Sequence, residues 1–106
     1  MKSFIDAAAT NNLALLSQKI AAGTPVDGKN PEGRTALLIA THANAIEAAK
    51  LLIDAGADVN AMDNIQDSPF LYAGAEGKLE ILKMTVQAGA DLDSTNRYGG
   101  TALVPA

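Results

Sequence analysis

The sequence predicts an all-α solenoid, a stack of helix–turn–helix units, and three observations predict it. The phrase Leu51-Leu-Ile-Asp-Ala-Gly-Ala-Asp-Val-Asn60 returns, edited, as Met84-Thr-Val-Gln-Ala-Gly-Ala-Asp-Leu-Asp93, and more weakly over Gln18–Asp27. Its glycines, Gly23, Gly56 and Gly89, are 33 residues apart in both steps (56 − 23 and 89 − 56), a period typical of stacked-repeat architectures. Composition agrees: 48% of residues are hydrophobic but only 4% aromatic, so alanine and leucine carry the core, as in small helices packed closely together.

Taken in order, residues 4–10 read as a short helix with Phe4, Ala7 and Ala8 inward, broken by Asn11-Asn12. A second helix runs from Leu13 to Ala22, with Leu13, Leu16 and Ile20 at helical spacing. Gly23 ends it as a left-handed cap, since glycine alone accepts positive φ without a steric cost. An extended arm begins at Thr24, and Pro31-Glu-Gly33 makes a turn. Thr35 is the expected N-cap of a short helix over Ala36–His42, its hydroxyl accepting from an orphan amide. Leu37 and Ala40 face in. After Ala43-Asn44, the longer helix Ala45–Ala55 is expected to bury Ile46, Ala49, Leu52 and Ile53 before Gly56 stops it. One period on, Asp63–Asp67 turns, Ser68 caps and Pro69 takes the first helical position, where its missing N–H does no harm. Phe70 and Ala73 face in, and Gly77 breaks the short helix. Leu79, Leu82 and Val86 are expected to line the inner stripe of the longer one, which Gly89 ends. A last turn, Asn96–Gly99, leads into Thr101–Ala106.

At 106 residues the chain can bury roughly 60–65% of its unfolded surface in one folding unit. The net charge of −4, from 8 basic and 12 acidic residues, disfavours a nucleic-acid binder, which needs a basic patch to neutralise phosphates. Without cysteine there are no disulfides and no thiolate zinc sites. No transmembrane stretch or signal peptide is expected. The compartment is expected to be cytoplasmic by default, and extracytoplasmic if a removed signal peptide preceded Met1.

The motifs then acquire a family. Gly33-Arg-Thr-Ala-Leu37 resembles the G-x-T-P-L opening of an ankyrin repeat, and Leu52-Ile-Asp-Ala-Gly-Ala-Asp-Val-Asn60 resembles its L-L-x-x-G-A-D-V-N close. The resemblance covers nearly the whole chain as a single ankyrin-repeat domain, residues 1–106. It divides into a partial repeat (1–29), two full ones (30–62 and 63–95) and a truncated one (96–106). Asp67–Tyr72 and Tyr98–Pro105 resemble bacterial ankyrin proteins most. Three departures stand out. Leu38 and Leu71 replace the histidine of T-P-L-H, so the usual histidine-mediated hydrogen bonds between turns are expected to be absent. Gln66 holds the turn position of Gly33 and Gly99, so that turn is expected to be strained or differently shaped. The fourth unit lacks its long helix, with Pro105 where its own helix would continue. A truncated or processed form of a longer chain is therefore expected, with self-association through an uncovered end at Leu82, Val86 and Leu103.

Catalytic, cofactor and metal signals are weak. Gly23–Lys29 fits G-x-x-x-x-G-K, but Asn30-Pro31 follows it and a helix precedes it, the reverse of a phosphate loop. Asp91-Leu-Asp93 lacks the turn glycine of a calcium loop and has Ala102 in place of the closing glutamate. His42, the sole histidine, builds no usual zinc site. Glu32 is the only carboxylate expected near it, and His42 reads as a solvent-facing contact residue. No paired carboxylates are forced together. No enzyme activity and no cofactor are expected.

What remains is surface. In ankyrin repeats the turn tips and the outward positions of the short helices line a concave groove. By resemblance, that groove would be formed by Glu32, Arg34, His42 and Ala43, then Asn64, Ile65, Asp67, Ala75 and Glu76, then Arg97 and Tyr98, with Ala9 and Thr10 extending it. Ile65 and Tyr98 are apolar or aromatic groups at tips where folding gains nothing, as at interface hot spots. Glu32, Asp67 and Glu76 make an acidic middle that favours a partner protein with a basic segment. The expected function is non-enzymatic protein binding through this groove. The alternative is a structural or targeting segment of a longer multidomain protein.

Overall fold

The computed structural model describes residues 4–92. Within them the chain forms six helices and no strand: α1 (Phe4–Ala9), α2 (Leu13–Ala21), α3 (Ala36–His42), α4 (Ile46–Asp54), α5 (Pro69–Ala75) and α6 (Leu79–Gln87). Each short helix pairs with the longer one that follows. The short helices stack as α1–α3–α5 and the long ones as α2–α4–α6, giving two layers with the core between them. Ala7, Ala8, Ala36, Ala40, Ala48 and Ala49 are fully buried there beside Leu16, Leu37 and Leu52. These side chains without bulk allow the layers to approach.

The caps are where the sequence predicts them. Thr35 Oγ1 accepts from the Leu38 amide at 3.2 Å and Ser68 Oγ from the Leu71 amide at 3.1 Å. Pro69 occupies the first turn of α5. Gly23, Gly56 and Gly89 adopt φ of 89°, 94° and 94° just past α2, α4 and α6. A second left-handed series sits between paired helices at Asn11, Asn44 and Gly77 (φ 55°, 52° and 68°). Asn11 does more than turn the chain. Its Oδ1 accepts from the Ala48 amide at 2.9 Å, so the first unit caps α4, whose own N-cap, Ala45, makes no side-chain bond.

Leu38 and Leu71 are buried, and other bonds join successive turns. The Asn64 amide donates to Glu32 O at 3.0 Å, Asn64 Nδ2 to Pro31 O at 3.1 Å, and Lys29 Nζ to Met62 O at 3.0 Å. This close approach explains Gly33, where a Cβ would stand 2.5 Å from Asn64 Oδ1. Gln66 takes the same left-handed shape as Gly33, with φ of 63°.

The long helices need correction. Leu13 is 38% exposed, and Ile46 and Ile53 are only half-buried. On α6 the fully buried residues are Ile81 and Thr85, whereas Leu79 is 65% and Val86 41% exposed and Leu82 is half-buried. The repeat supplies the reason. Ile53, one period before Val86, lines the groove that α4 makes with Met84 and Gln87 of α6. Val86 therefore lies on the flank of α6 turned away from α4, which no other described helix covers. Leu103, expected to help cover that end, lies outside the described residues.

Candidate interaction surface

The turns before α3 and α5 are each organised by one side chain. Asn30 Oδ1 accepts from the amides of Glu32 and Arg34 at 3.0 and 2.9 Å. One period later Asp63 Oδ1 accepts from the amides of Ile65 and Asp67 at 3.0 and 2.9 Å. The Asp63 side chain is 1% exposed, and its second oxygen accepts from Arg34 Nε at 3.3 Å. Arg34 Nη1 also lies 3.5 Å from Glu32 Oε2. A buried carboxylate is tolerable only when paired and hydrogen-bonded, and here both conditions are met.

These two turns carry five of the predicted contact residues, Glu32, Arg34, Asn64, Ile65 and Asp67. Glu32 projects from its turn, 67% exposed at the side chain. Asn64 is exposed with its amide groups tied to the preceding turn, and Ile65 stands 38% exposed beside it. Asp67 is half-buried and bonded, and Glu76 is exposed at the C-terminal end of α5. Arg34 is largely committed to Asp63 and Glu32. Ala9, Ala43 and Ala75 are exposed, while the Thr10 hydroxyl donates back to Asp6 O at 3.0 Å. Arg97 and Tyr98 lie outside the described residues.

His42 departs from expectation. It is half-buried, and its ring stacks on Tyr72 of α5 with centroids 3.7 Å apart and planes 19° from parallel. Burial, then the Arg34 guanidinium, lowers its pKa below 6.5, while Asp67, Asp63 and Glu76 pull the other way. Those three, and not Glu32, are the carboxylates acting on it. Burial, then Glu76 and Asp67, raises the Tyr72 hydroxyl above 10.0. Sequence reasoning passed over Tyr72 and Asp63. The one available signal was the period: Tyr72 is equivalent to Ile39 on the exposed side of α3, and Asp63 to the turn-forming Asn30.

Among the described residues no cluster of three or more His, Asp or Glu is placed to hold a metal, and no helix is long and apolar enough to cross a membrane. The surrounding pockets are shallow grooves between neighbouring elements. An example of about 280 Å³ is lined by Leu13, Ser17, Glu47, Lys50, Leu51 and Asp54.

Comparison with known proteins agrees with this geometry. The ankyrin-repeat profile, in three copies, matches residues 4–104. The ankyrin repeat protein YahD of Escherichia coli K12 is 30% identical over 87 residues, which is 82% of this chain and 43% of YahD. An ankyrin repeat domain from Acinetobacter baumannii AYE superposes with a TM-score of 0.93 at 58% identity, covering 96% of this chain and 52% of that one. The ankyrin repeat protein EF0377 gives 0.88 at 45% identity over the same shares. The chain thus spans about half the length of the relatives it matches. Ankyrin repeats are a general protein–protein interaction module built on a non-catalytic fold. The chain belongs to the ankyrin-repeat family.

Proposed function

We propose that this chain binds another protein, without catalysis, through the face formed by its turn tips and short helices, and that the partner offers a basic segment. The supporting observation is that the turn carrying Asn64, Ile65 and Asp67 lies against the turn carrying Glu32, the Asn64 amide donating to Glu32 O at 3.0 Å, and that Glu32, Asn64, Ile65 and Glu76 are exposed. Ile65 is the best anchor, being apolar and 38% exposed on a rigid turn. Carboxylates around it steer a cationic segment and set its orientation.

The test is affinity and stability measured together for a partner isolated with the wild-type chain. Ile65→Ala is expected to weaken binding about tenfold or more, in the range of an interface anchor, with the melting temperature nearly unchanged. Tyr98→Ala is proposed to act likewise. Unchanged affinity in both variants defeats the assignment.

A structural or targeting role within a longer protein is the second reading, favoured by the exposure of Leu79 and Val86 on a flank that no other described helix covers and by the greater length of the relatives. A natural product of mass well above 10.9 kDa would support it. Self-association through the C-terminal end is tested separately by light scattering across concentration. A mass rising toward a dimer supports it, and a constant 10.9 kDa ends it.

A further inference from the structure

One side-chain polar atom among the described residues is buried without a hydrogen bond, and it is His42 Nε2. A neutral imidazole tolerates this position, because one of its nitrogens carries no proton and a lone pair left unpaired is the lesser penalty. An imidazolium does not, because both nitrogens must then donate, and a buried donor without an acceptor forfeits its hydration. The stack on Tyr72, with rings 3.7 Å apart, therefore fits the neutral ring.

The groups around the ring are specific. Arg34, in the turn before α3, repels a second positive charge. Asp63 and Asp67, in the turn before α5, and Glu76, at the end of α5, attract it. The charged residues of the other helices packed on α3 do not act on the ring: Asp6 of α1, and Glu47, Lys50 and Asp54 of α4. A proton thus destabilises His42 where it is stacked and favours it nearer the carboxylates. His42 is the last residue of α3, so its side chain can leave without disturbing the caps or the core.

We propose that the His42–Tyr72 pair is a pH-operated catch on the interaction face. The neutral ring stays stacked on Tyr72; proton uptake releases it toward Glu76 and Asp67, uncovers the Tyr72 ring and adds one positive charge to an acidic surface. The consequence for binding rests on the function proposed above: a basic segment held at neutral pH would be loosened by acid. The catch itself is a property of the free chain.

Because His42 is the sole histidine, its ring protons can be followed singly by NMR in the 106-residue protein from pH 8 to 4.5. Expected are ring-current shifts from Tyr72 at high pH, a midpoint below 6.5, and Tyr72 ring resonances that move with that midpoint. Tyr72→Phe, which keeps the stack, should keep the low midpoint, whereas Tyr72→Leu should raise it and abolish the ring-current shift. A midpoint at or above 6.5 in the wild type overturns the proposal. So does a low midpoint with an unmoved Tyr72 ring, which would mean the proton is accepted in place. Neither measurement involves a partner, so the catch can fail with the binding face intact. Conversely, loss of the binding assignment through Ile65→Ala would leave the titration unchanged.

Discussion

Gln66 carries a backbone burden that its sequence neighbours explain. It stands at φ 63° where the preceding unit has Gly33, and a left-handed conformation costs a residue with a Cβ about 1–2 kcal/mol. Glycine pays back part of that relief through its larger unfolded-state entropy. Gln66→Gly is accordingly expected to stabilise the fold by about 0.5–1 kcal/mol, read as a raised midpoint in urea denaturation. His42 links stability to pH with a definite sign. Its folded-state pKa lies below 6.5, burial first and Arg34 second. As pH falls, the unfolded chain therefore takes the proton before the folded one. The full stability is present above about pH 6.5 and is lost as pH falls through the lowered folded-state value. His42→Gln is expected to show a shallower loss of stability between neutral and acid pH, measured by denaturant titration at several pH values.

At the scale of the element, each long helix has two apolar faces with different duties. Ile81 and Thr85 close the layer against α5, and Thr85 meets its burial by donating its hydroxyl to Leu82 O at 2.7 Å. Leu79 and Val86 occupy the flank that α4 and α2 turn toward a following unit. Truncation separates the two. Ile81→Ala is expected to cost about 2–5 kcal/mol, as emptied core sites do, and Val86→Ala about 1 kcal/mol or less, because its methyls are already partly hydrated. Equal losses in a urea series would contradict the assignment of faces. The caps follow the same division. Those of α3 and α5 come from the residue just before the helix, but α4 relies on Asn11 from the unit before, so part of its local stability belongs to its neighbour.

For the molecule as a whole, stacked units mean that stability is a sum of local and nearest-neighbour terms, and the proposed interaction face would draw on several units at once. Turn-to-turn bonds from Asn64 and Lys29 fix the spacing of successive tips. That rigidity suits recognition, because a pre-ordered surface loses little entropy on binding. The charge of the face adds a salt dependence. Association with a basic segment is expected to slow as salt is raised from about 0.05 to 0.5 M, since the screening length falls over that range. Stopped-flow mixing reads this directly, and a rate indifferent to salt would argue against an acidic docking face.

The sequence by itself determined the period, the six helices, their caps at Thr35 and Ser68, and the glycine stops. All of these rest on interactions within a few residues or on one residue's φ/ψ preference, and such terms are written locally. The repeat also underlies the proposal that Glu32, Asn64, Ile65, Asp67 and Glu76 share a face, because similar units stack with similar faces aligned. Only the tertiary structure decided which flank of α6 is buried, that Asn11 caps α4, that Arg34 is tied to a buried Asp63, and that His42 lies on Tyr72. The last three join residues 29 to 37 positions apart in sequence across the boundary between units. Periodicity says that two units touch, but the side chains that meet there depend on the rotation and separation of the packed helices, and these are set by the volumes of every residue in the layer.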